Sequence, residues 1–121
     1  MKKGRKISGG KYKRARKKKK FELPGLPRVV KLGEVKKKSI KMQGGNTKKV
    51  LLKSNVINVI DKKTNKTKKI KILNVIETPS NKFLARQNIL TKGAIVETES
   101  GKVRITNRPS QEGSVQGIII E

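Results

Sequence analysis

The sequence predicts a mainly β protein: a small antiparallel β-barrel with one short helix and a basic, extended N-terminal arm. Three observations predict it. Short apolar segments alternate with Gly- and Pro-rich turns, only three aromatic residues are available for a core, and positive charge is concentrated at one end of the 121-residue chain. A closed barrel suits six or seven short strands, because closure removes exposed sheet edges.

The N-terminal arm, residues 1–22, is set apart by its charge. Its first twenty residues contain twelve cations and no acid, and the first carboxylate belongs to Glu22. The first twenty residues contain few apolar side chains, and burying these cannot offset the entropy cost of ordering the segment. We therefore expect the arm to be disordered until a polyanion neutralises its charge. Residues 23–27, which contain two prolines, are predicted to form a linker, and residues 28–121 the barrel domain.

The first strands are expected between residue 29 and residue 76. Two short strands flank Gly33, and the second ends at the turn Gly44-Gly45-Asn46. Residues 48–60 and 68–76 are rich in Val, Leu and Ile, with turn residues at 61–65 between them. This pattern predicts one long hairpin.

The remaining elements are a bulge, a helix and three more strands. The apolar face of the second hairpin strand switches by one position at Leu73, which predicts a β-bulge. Later elements are read from caps and turns. They are a short helix over 82–90 capped by Ser80 or Asn81, a tight hairpin across Ser100-Gly101, and a last strand over 115–120 after the turn-rich segment 108–113.

The composition excludes most enzyme chemistry. There is no Cys and no His, which removes the commonest general base and the commonest metal ligands. The segment Gly4–Gly9 lacks the lysine and the preceding strand of a phosphate-binding loop. Glu97 and Glu99 could form an acid–base pair or part of a Mg²⁺ site, but on a +25 protein they fit better as sheet-surface partners of cations. The sequence predicts no catalytic residue, no metal and no cofactor.

A net charge of +25 calls for a polyanionic partner. The arm could bind nucleic acid or anionic lipid, and its basic residues 13–20 could also serve as a nuclear localisation signal. A lipid-binding basic helix needs large apolar residues opposite its cations, and residues 11–20 offer only Tyr12 and Ala15. Cations also continue into the folded part, which favours nucleic acid. No apolar run approaches a membrane span, so we expect a cytoplasmic protein with no membrane contact and no small-molecule substrate.

The kind of nucleic acid is less directly encoded. Helix-turn-helix, zinc-finger and basic-zipper patterns are absent, and two Phe cannot build the aromatic sheet of an RRM. Recognition of shape and phosphates by a small β-domain remains, as in a protein embedded in folded RNA. The alternative is an architectural protein that compacts duplex DNA non-specifically, and behind it stands an enzyme using Glu97 and Glu99.

Four ordered blocks resemble a known family. They are residues 8–12 (SGGKY) with 16–19 (RKKK), Gly44-Gly45-Asn46 with Lys48-Lys49, residues 88–98 (NILTKGAIVET), and residues 104–113 (RITNRPSQEG). Together they are similar to the archaeal and eukaryotic-type ribosomal protein eight of the small subunit, the "eight-e" family. The chain departs from the family at Ser110 and Glu112, where Gly and Asp are common.

The resemblance implies a function, a set of partners and a fold. It implies a non-enzymatic structural constituent of the small (30S) ribosomal subunit that binds small-subunit (16S-type) rRNA, contacts neighbouring ribosomal proteins and supports assembly and translation. It also implies a β-barrel body with an N-terminal extension laid along rRNA. The chain lacks the long insertion of eukaryotic members, which implies an archaeal protein.

The residues expected to contact RNA are the arm cations, a basic wall of the barrel and four scattered cations. Tyr12 is expected to stack on a base or ribose, and Gly44-Gly45 either forms a plain turn or permits close RNA approach to Asn46. The full set is Lys2, Lys3, Arg5, Lys6, Lys11, Tyr12, Lys13, Arg14, Arg16, Lys17, Lys18, Lys19, Lys20, Lys36, Lys37, Lys38, Lys41, Gly44, Gly45, Asn46, Lys48, Lys49, Arg86, Lys92, Arg104 and Arg108.

Overall fold

A computed structural model gives the fold and describes residues 4–12, 16–62 and 64–120. Within these residues the chain forms eight strands, two short α-helices and two 3₁₀ turns. The strands are β1 (Lys31–Leu32), β2 (Lys36–Lys41), β3 (Thr47–Ser54), β4 (Val56–Ile60), β5 (Thr67–Glu77), β6 (Ile95–Thr98), β7 (Gly101–Ile105) and β8 (Gln116–Ile119). The helices are α1 (Lys82–Arg86) and α2 (Pro109–Glu112), and the 3₁₀ turns are Lys20–Glu22 and Gln43–Gly45.

Strands β4 to β8 form a closed barrel in chain order. Successive strands pair antiparallel, which confirms the predicted small β-barrel. The closing pair, β4 with β8, is parallel, with Asn58 opposite Gln116. This differs from the antiparallel pairing expected throughout. An up-and-down barrel with an odd number of strands must close in this way, because its first and last strands run in the same direction.

The barrel interior is filled by small aliphatic side chains. Ile57 and Val59 of β4 are buried, as are the inward residues of the other strands. At the closing seam, Gly117 allows β8 to approach its neighbours closely. A Cβ there would lie 2.5 Å from Val103 Cγ1 and 2.9 Å from Ile57 Cδ1. The dense core therefore depends on a residue without a side chain at this position.

A three-stranded sheet in the order β1-β3-β2 packs beside the barrel. Its central strand buries two successive residues, Val50 and Leu51, so both faces of the sheet are covered at its centre. Leu51 belongs to the same apolar cluster as the barrel interior. The sheet and the barrel therefore share one core.

The predicted long strand over 48–60 is wrong, because the chain breaks at Asn55 into β3 and β4, which belong to different sheets. Ser54 Oγ accepts a hydrogen bond from Val56 N (3.2 Å) and donates one to Val56 O (3.0 Å). These local bonds occupy backbone groups that a continuous strand would pair with its neighbour. The hairpin itself is confirmed only between β4 and β5.

Helix α1 begins as predicted and ends earlier. The Asn81 side chain caps it by accepting a hydrogen bond from Phe83 N. The helix ends at Arg86 rather than at residue 90, and Asn88 adopts a left-handed φ of 52°. Leu90 is then buried and its N–H donates to Val30 O at 2.8 Å. The helix therefore ends early because Leu90 is buried and pairs with Val30 instead of extending the helix.

The sequence also misses a second helix. Residues 109–112, expected within a turn, form α2, with Pro109 in its first turn and Gly113 ending it at a φ of 73°. Proline's fixed φ suits the start of a helix, and glycine tolerates the left-handed conformation that ends one. The bulge prediction is confirmed, because the β5–β6 register shifts around Leu73. The tight β6–β7 hairpin also forms, but its two turn residues are Glu99 and Ser100, one position earlier than predicted, and Gly101 begins β7.

Candidate nucleic-acid interface

The most basic surface of the folded part lies on β2 and β3 of the three-stranded sheet. The prediction that its lysines form a basic wall of the barrel is wrong, because β2 and β3 pair with each other outside the closed barrel. We call this surface the lysine sheet, and between residues 36 and 54 it contains no acidic residue. Lys36 of β2 lies directly opposite Lys53 of β3. Like charges in this arrangement destabilise a strand pair. The lysine sheet consists of Lys36, Lys37, Lys38, Lys41, Lys48, Lys49 and Lys53.

Strand β2 is an edge strand, and its lysines occupy both faces of the sheet. Lys37 lies opposite Leu51 and Lys38 opposite Val50, and successive residues of a strand point to opposite faces. All the lysines of β2 are exposed. Exposed lysines on an edge strand also prevent pairing with another sheet. The edge can therefore present ammonium groups to phosphates on two sides at once.

A groove of about 230 Å³ separates the lysine sheet from the barrel. Lys37 lines it on one side and Lys69 of β5 on the other. Lys69 and Lys71 are exposed, whereas Ile70 between them is buried. Sequence reasoning missed Lys53, Lys69 and Lys71. The alternation of lysine with buried isoleucine in β5 could have identified the last two as outward-facing.

The described part of the arm forms local structure. The backbones of Arg5 and Lys11 form an isolated antiparallel β-bridge. Between them, Lys6 N donates a hydrogen bond to Gly10 O at 2.9 Å, so the segment forms a small turn. Lys6 Nζ lies 5.8 Å from the centroid of the Tyr12 ring, and Tyr12 is 52 % exposed. All the described residues of segment 4–29 are exposed. The predicted contacts of Lys2, Lys3, Lys13 and Arg14 lie outside the described residues.

Arg16 differs from the neighbouring cations because it has an internal partner. Its guanidinium donates two hydrogen bonds to Glu22, at 2.9 and 2.6 Å, and Lys19 N donates a third at 3.1 Å. The Arg16 contact, followed by the Lys19 N–H, lowers the pKa of Glu22. Among the cations that follow, Lys19 lies over the exposed Phe21 ring. Arg16 is therefore already paired with a carboxylate within the arm.

The glycine pair at residues 44–45 forms the turn between β2 and β3. Gly44 and Gly45 have φ values of 72° and 75°, in the left-handed region that favours glycine. Met42 N donates to Asn46 O at 2.7 Å and closes the turn. Turn geometry thus accounts for both glycines, and contact between Asn46 and RNA stays a prediction.

The four scattered cations occupy three different places. Lys92 and Arg108 line one small cavity of about 130 Å³ together with Arg28, which sequence reasoning missed. Arg86 lies on α1, 5.9 Å from the ring centroid of the exposed Phe83. Arg104 of β7 borders a separate groove lined by Ile118 to Ile120. The structure therefore does not bring these four side chains into one site.

The acid–base alternative places Glu97 and Glu99 two apart on one strand face, but the structure puts only Glu97 on a strand. Glu97 lies on β6 opposite Lys102 of β7, whereas Glu99 lies in the turn that follows. Across residues 4–12, 16–62 and 64–120, no group of three or more acidic side chains is placed to hold a metal ion. In the same part of the chain, no helix is long and apolar enough to cross a membrane.

A five-stranded barrel with an exposed lysine sheet and a cationic arm defines a class: small, basic β-barrel proteins suited to face a polyanion. Comparison with known proteins narrows this class. The chain belongs to the ribosomal protein S8e family, whose family model matches residues 1–120. The resemblance seen in the four sequence blocks is confirmed.

Similar proteins include several named small ribosomal subunit protein eS8. That of Nanoarchaeum equitans is 49% identical over 115 residues, covering 95% of this chain and 91% of the relative. That of Methanocorpusculum labreanum is 44% identical, covering 97% and 94% respectively. That of Methanococcus aeolicus is 47% identical, covering 96% and 91%. All three relatives come from archaea.

Proposed function

We propose that this protein is a structural, non-enzymatic component of the small ribosomal subunit. It binds small-subunit rRNA through the cationic arm and the lysine sheet, and thereby supports subunit assembly and translation. The observation that carries the proposal is the like-charge pair of Lys36 and Lys53 in a sheet without any acid. The names of the relatives, small ribosomal subunit protein eS8, support the choice of RNA as the polyanion.

Phosphates supply the negative charge that the lysine sheet lacks. Each phosphate that approaches an ammonium group releases condensed counterions and relieves the repulsion between neighbouring lysines. Lysines on both faces of β2 allow the edge of the sheet to contact phosphates from two sides. The exposed arm adds further contacts along a path outside the barrel.

The partners and location follow from this role. We propose small-subunit rRNA and neighbouring small-subunit proteins as partners, and the ribosome in the cytoplasm of an archaeal cell as the location. We also propose the division into the arm (residues 1–22), the linker (23–27) and the barrel domain (28–121). No cofactor or small-molecule substrate is part of the proposal.

Binding titrations test the proposal against the DNA alternative. The full chain is titrated with small-subunit rRNA fragments, with unrelated RNA duplexes and with duplex DNA, each at several salt concentrations. We expect at least a tenfold preference for one or more rRNA fragments, together with sedimentation of the native protein with the small subunit. Equal affinity for every duplex would instead support an architectural DNA-binding protein.

Matched charge variants locate the interface. The first variant replaces four lysines of β2, Lys36, Lys37, Lys38 and Lys41, by Gln. The control replaces Lys62, Lys66, Lys82 and Lys102, which are exposed elsewhere, and lowers the net charge equally. We expect the β2 variant to lose considerably more rRNA affinity than the control. Equal losses would mean that net charge, and not the lysine sheet, controls binding.

A further inference from the structure

The groove between the lysine sheet and the barrel is formed by two facing surfaces. On the sheet, Lys37 lies opposite Leu51, and directly opposed residues of paired strands point to the same face. On the barrel, Asn58 of β4 lies opposite Lys69 of β5, and both residues line the groove. Each wall therefore contributes one lysine, and the barrel wall adds a carboxamide. We call this site the Asn58 groove.

The side chain of Asn58 is directed away from the barrel interior. Its neighbours Ile57 and Val59 are buried in the core, and successive residues of a strand point to opposite faces. Within residues 4–12, 16–62 and 64–120, the Asn58 carboxamide makes no hydrogen bond, and neither its oxygen nor its nitrogen is shielded from solvent. The residue as a whole is half-buried. A ligand in the groove can therefore reach an unpartnered donor and an unpartnered acceptor.

Apolar side chains form the remaining surface of the groove. Val35 is 53 % exposed, and Val56 is half-buried. The buried residues Leu51 and Val115 complete this lining. Val56 lies two residues before Asn58 in β4, so both side chains are on the same outer face of the barrel. A flat apolar ligand can therefore lie against the valines with one edge beside the carboxamide.

The two walls of the groove are fixed relative to each other. Leu51 of the sheet belongs to the same apolar cluster as the barrel interior. At the corner between β3 and β4, Ser54 Oγ bonds both N and O of Val56. The next residue, Asn55, accepts a hydrogen bond at its O from Ile72 N at 2.8 Å. Opening the groove would break this shared core, so the site is formed before any ligand arrives.

The lining matches the chemistry of a nucleobase. A carboxamide presents an N–H donor beside a C=O acceptor, and a base edge presents the complementary pair, as in the contact of asparagine with adenine. A base also has a flat face for the valines, and its chain carries phosphates for Lys37 and Lys69. A phosphate alone would leave the valines and Asn58 unused. The groove volume of about 230 Å³ lies below the roughly 300 to 1,000 Å³ of ordinary small-molecule pockets, which suits one ring system.

Resting on the proposed rRNA binding, we propose that the Asn58 groove holds one unstacked nucleobase of RNA. The edge of the base hydrogen-bonds the Asn58 carboxamide, and its face lies against Val35 and Val56. Flanking phosphates lie on Lys37 and Lys69. Proteins read such splayed bases in loops, bulges and strand ends, so the base comes from one of these. The groove thereby adds a contact that depends on base identity to phosphate contacts that do not.

The first test follows the side-chain amide signals of the isotope-labelled full chain by NMR as nucleotides are added. The probes are AMP, CMP, GMP and UMP, together with ribose 5-phosphate, which lacks a base. We expect at least one nucleotide to shift the Asn58 signal saturably, whereas ribose 5-phosphate leaves it unchanged. An equal shift with ribose 5-phosphate would mean that only the phosphate binds. That result, or no shift with any nucleotide, would overturn the proposal.

The second test separates the base contact from the phosphate contacts. Asn58→Leu removes both hydrogen-bonding groups and changes neither the charge nor much of the side-chain size. We expect roughly two- to tenfold weaker binding of a short single-stranded oligonucleotide of the selected base, the range of one hydrogen bond, with an unchanged salt slope. Lys37→Gln should instead lower the salt slope by about one and keep the preference among bases.

The matched control is Gln116→Leu, which removes an exposed amide directly opposite Asn58 on β8. Gln116 lies outside the groove lining, so we expect nucleotide binding to stay unchanged. A loss equal to that of Asn58→Leu would show that the groove is not the binding site. Wild-type binding by Asn58→Leu would also overturn the proposal.

The remaining outcomes concern folding and the proposed function. Asn58→Leu should keep the melting temperature, because the side chain lies on the outer face and has no hydrogen bond to lose. Val35→Ala, at an exposed position, is the second variant if Asn58→Leu does not fold, and it should weaken nucleotide binding without affecting ribose 5-phosphate. Failure of these tests while the intact chain still prefers rRNA would overturn this inference alone. Loss of any rRNA preference in the intact chain would overturn the proposed function instead.

Discussion

Lys36 of β2 and Lys53 of β3 lie directly opposite each other at one end of the lysine sheet. The pair opposes strand association in the free protein, and in the proposed complex with rRNA it attracts phosphates. The same two ammonium groups therefore have effects of opposite sign on folding and on binding. This opposition can be measured.

The Lys36→Glu variant should raise stability and weaken rRNA binding together. An opposite-charge cross-strand pair with Lys53 replaces a like-charge pair, and we expect roughly 0.2 to 1 kcal/mol of added stability. Urea unfolding and rRNA titration at low salt measure the two effects. Lys36→Gln should lie between the wild type and Lys36→Glu in both. A loss of stability in Lys36→Glu would contradict the cross-strand register.

Replacement of Gly117 by Ala should strongly destabilise the barrel. Its Cβ would lie 2.5 Å from Val103 Cγ1 and 2.8 Å from Arg104 O, and the backbone carbonyl cannot move freely. We expect a loss of roughly 1 to 3 kcal/mol in the free energy of unfolding. The control is Gly25→Ala, where a Cβ has no heavy atom within 4 Å. Equal stability of the two variants would show that the closing seam is looser than described.

Acid should destabilise the α2 region through Glu112. Its pKa is lowered in the folded state, first by the hydrogen bond from Arg108 N and then by that from Asn107. The unfolded chain therefore binds more protons in acid. Stability that is present above the ordinary value of about 4.3 is lost as the pH falls through the lowered value. Unfolding followed from pH 7 to pH 3 should show a shallower decline for Glu112→Gln than for the wild type, and an equal decline in both would contradict this role of Glu112.

Deletion of residues 1–20 should flatten the salt dependence of rRNA binding. Each phosphate contact contributes about −0.9 to the slope of log K against log salt on duplexes and about −0.7 on single strands, so engagement of half the arm cations gives several units. Preference for rRNA should change less, because phosphate contacts position the protein and the folded surface senses RNA shape. An arm of equal length with its cations changed to Gln is the control. If deletion abolished the preference but kept the slope, the arm would be the specific reader.

Replacement of both Glu97 and Glu99 by Gln should leave rRNA binding intact or slightly stronger. Glu97 faces Lys102 across the β6–β7 pair, and both carboxylates are exposed. Two negative charges near phosphates are removed, which reduces repulsion. Titration with an rRNA fragment, with and without Mg²⁺, measures the effect. Weaker binding or a new Mg²⁺ dependence would indicate a site at these residues.

Local signals in the sequence predicted much of the fold. The change of phase at Leu73 marked the bulge, and Asn81 marked the start of α1, because both effects act within a few residues. The end of α1 depends instead on Leu90 pairing with Val30, a partner far away in the sequence. The break at Asn55 was hidden because apolar residues continue on both sides of it.

In the candidate interface, too, some features are visible in the sequence and others arise only from contacts between distant residues. The run Lys36 to Lys38 was visible as charge, whereas Lys53 became part of the surface only through the β2–β3 register. Arg28 and Lys92 are 64 residues apart in the sequence, and tertiary pairing alone brings them to one cavity. Sequence composition therefore indicates a polyanionic partner, and the tertiary structure is needed to group the cations into surfaces.

The parallel pairing of β4 with β8 has a kinetic consequence. Asn58 and Gln116 must meet before the ring of hydrogen bonds is complete, and contacts between positions so distant in sequence form slowly. The antiparallel hairpins between β4 and β7 can form earlier, as can β2 with β3. A growing chain thus exposes its lysine sheet, with the cationic arm before it, while the barrel is still an open sheet with two free edges. Until β8 arrives, the unpaired edges of β4 and β7 can pair with other chains.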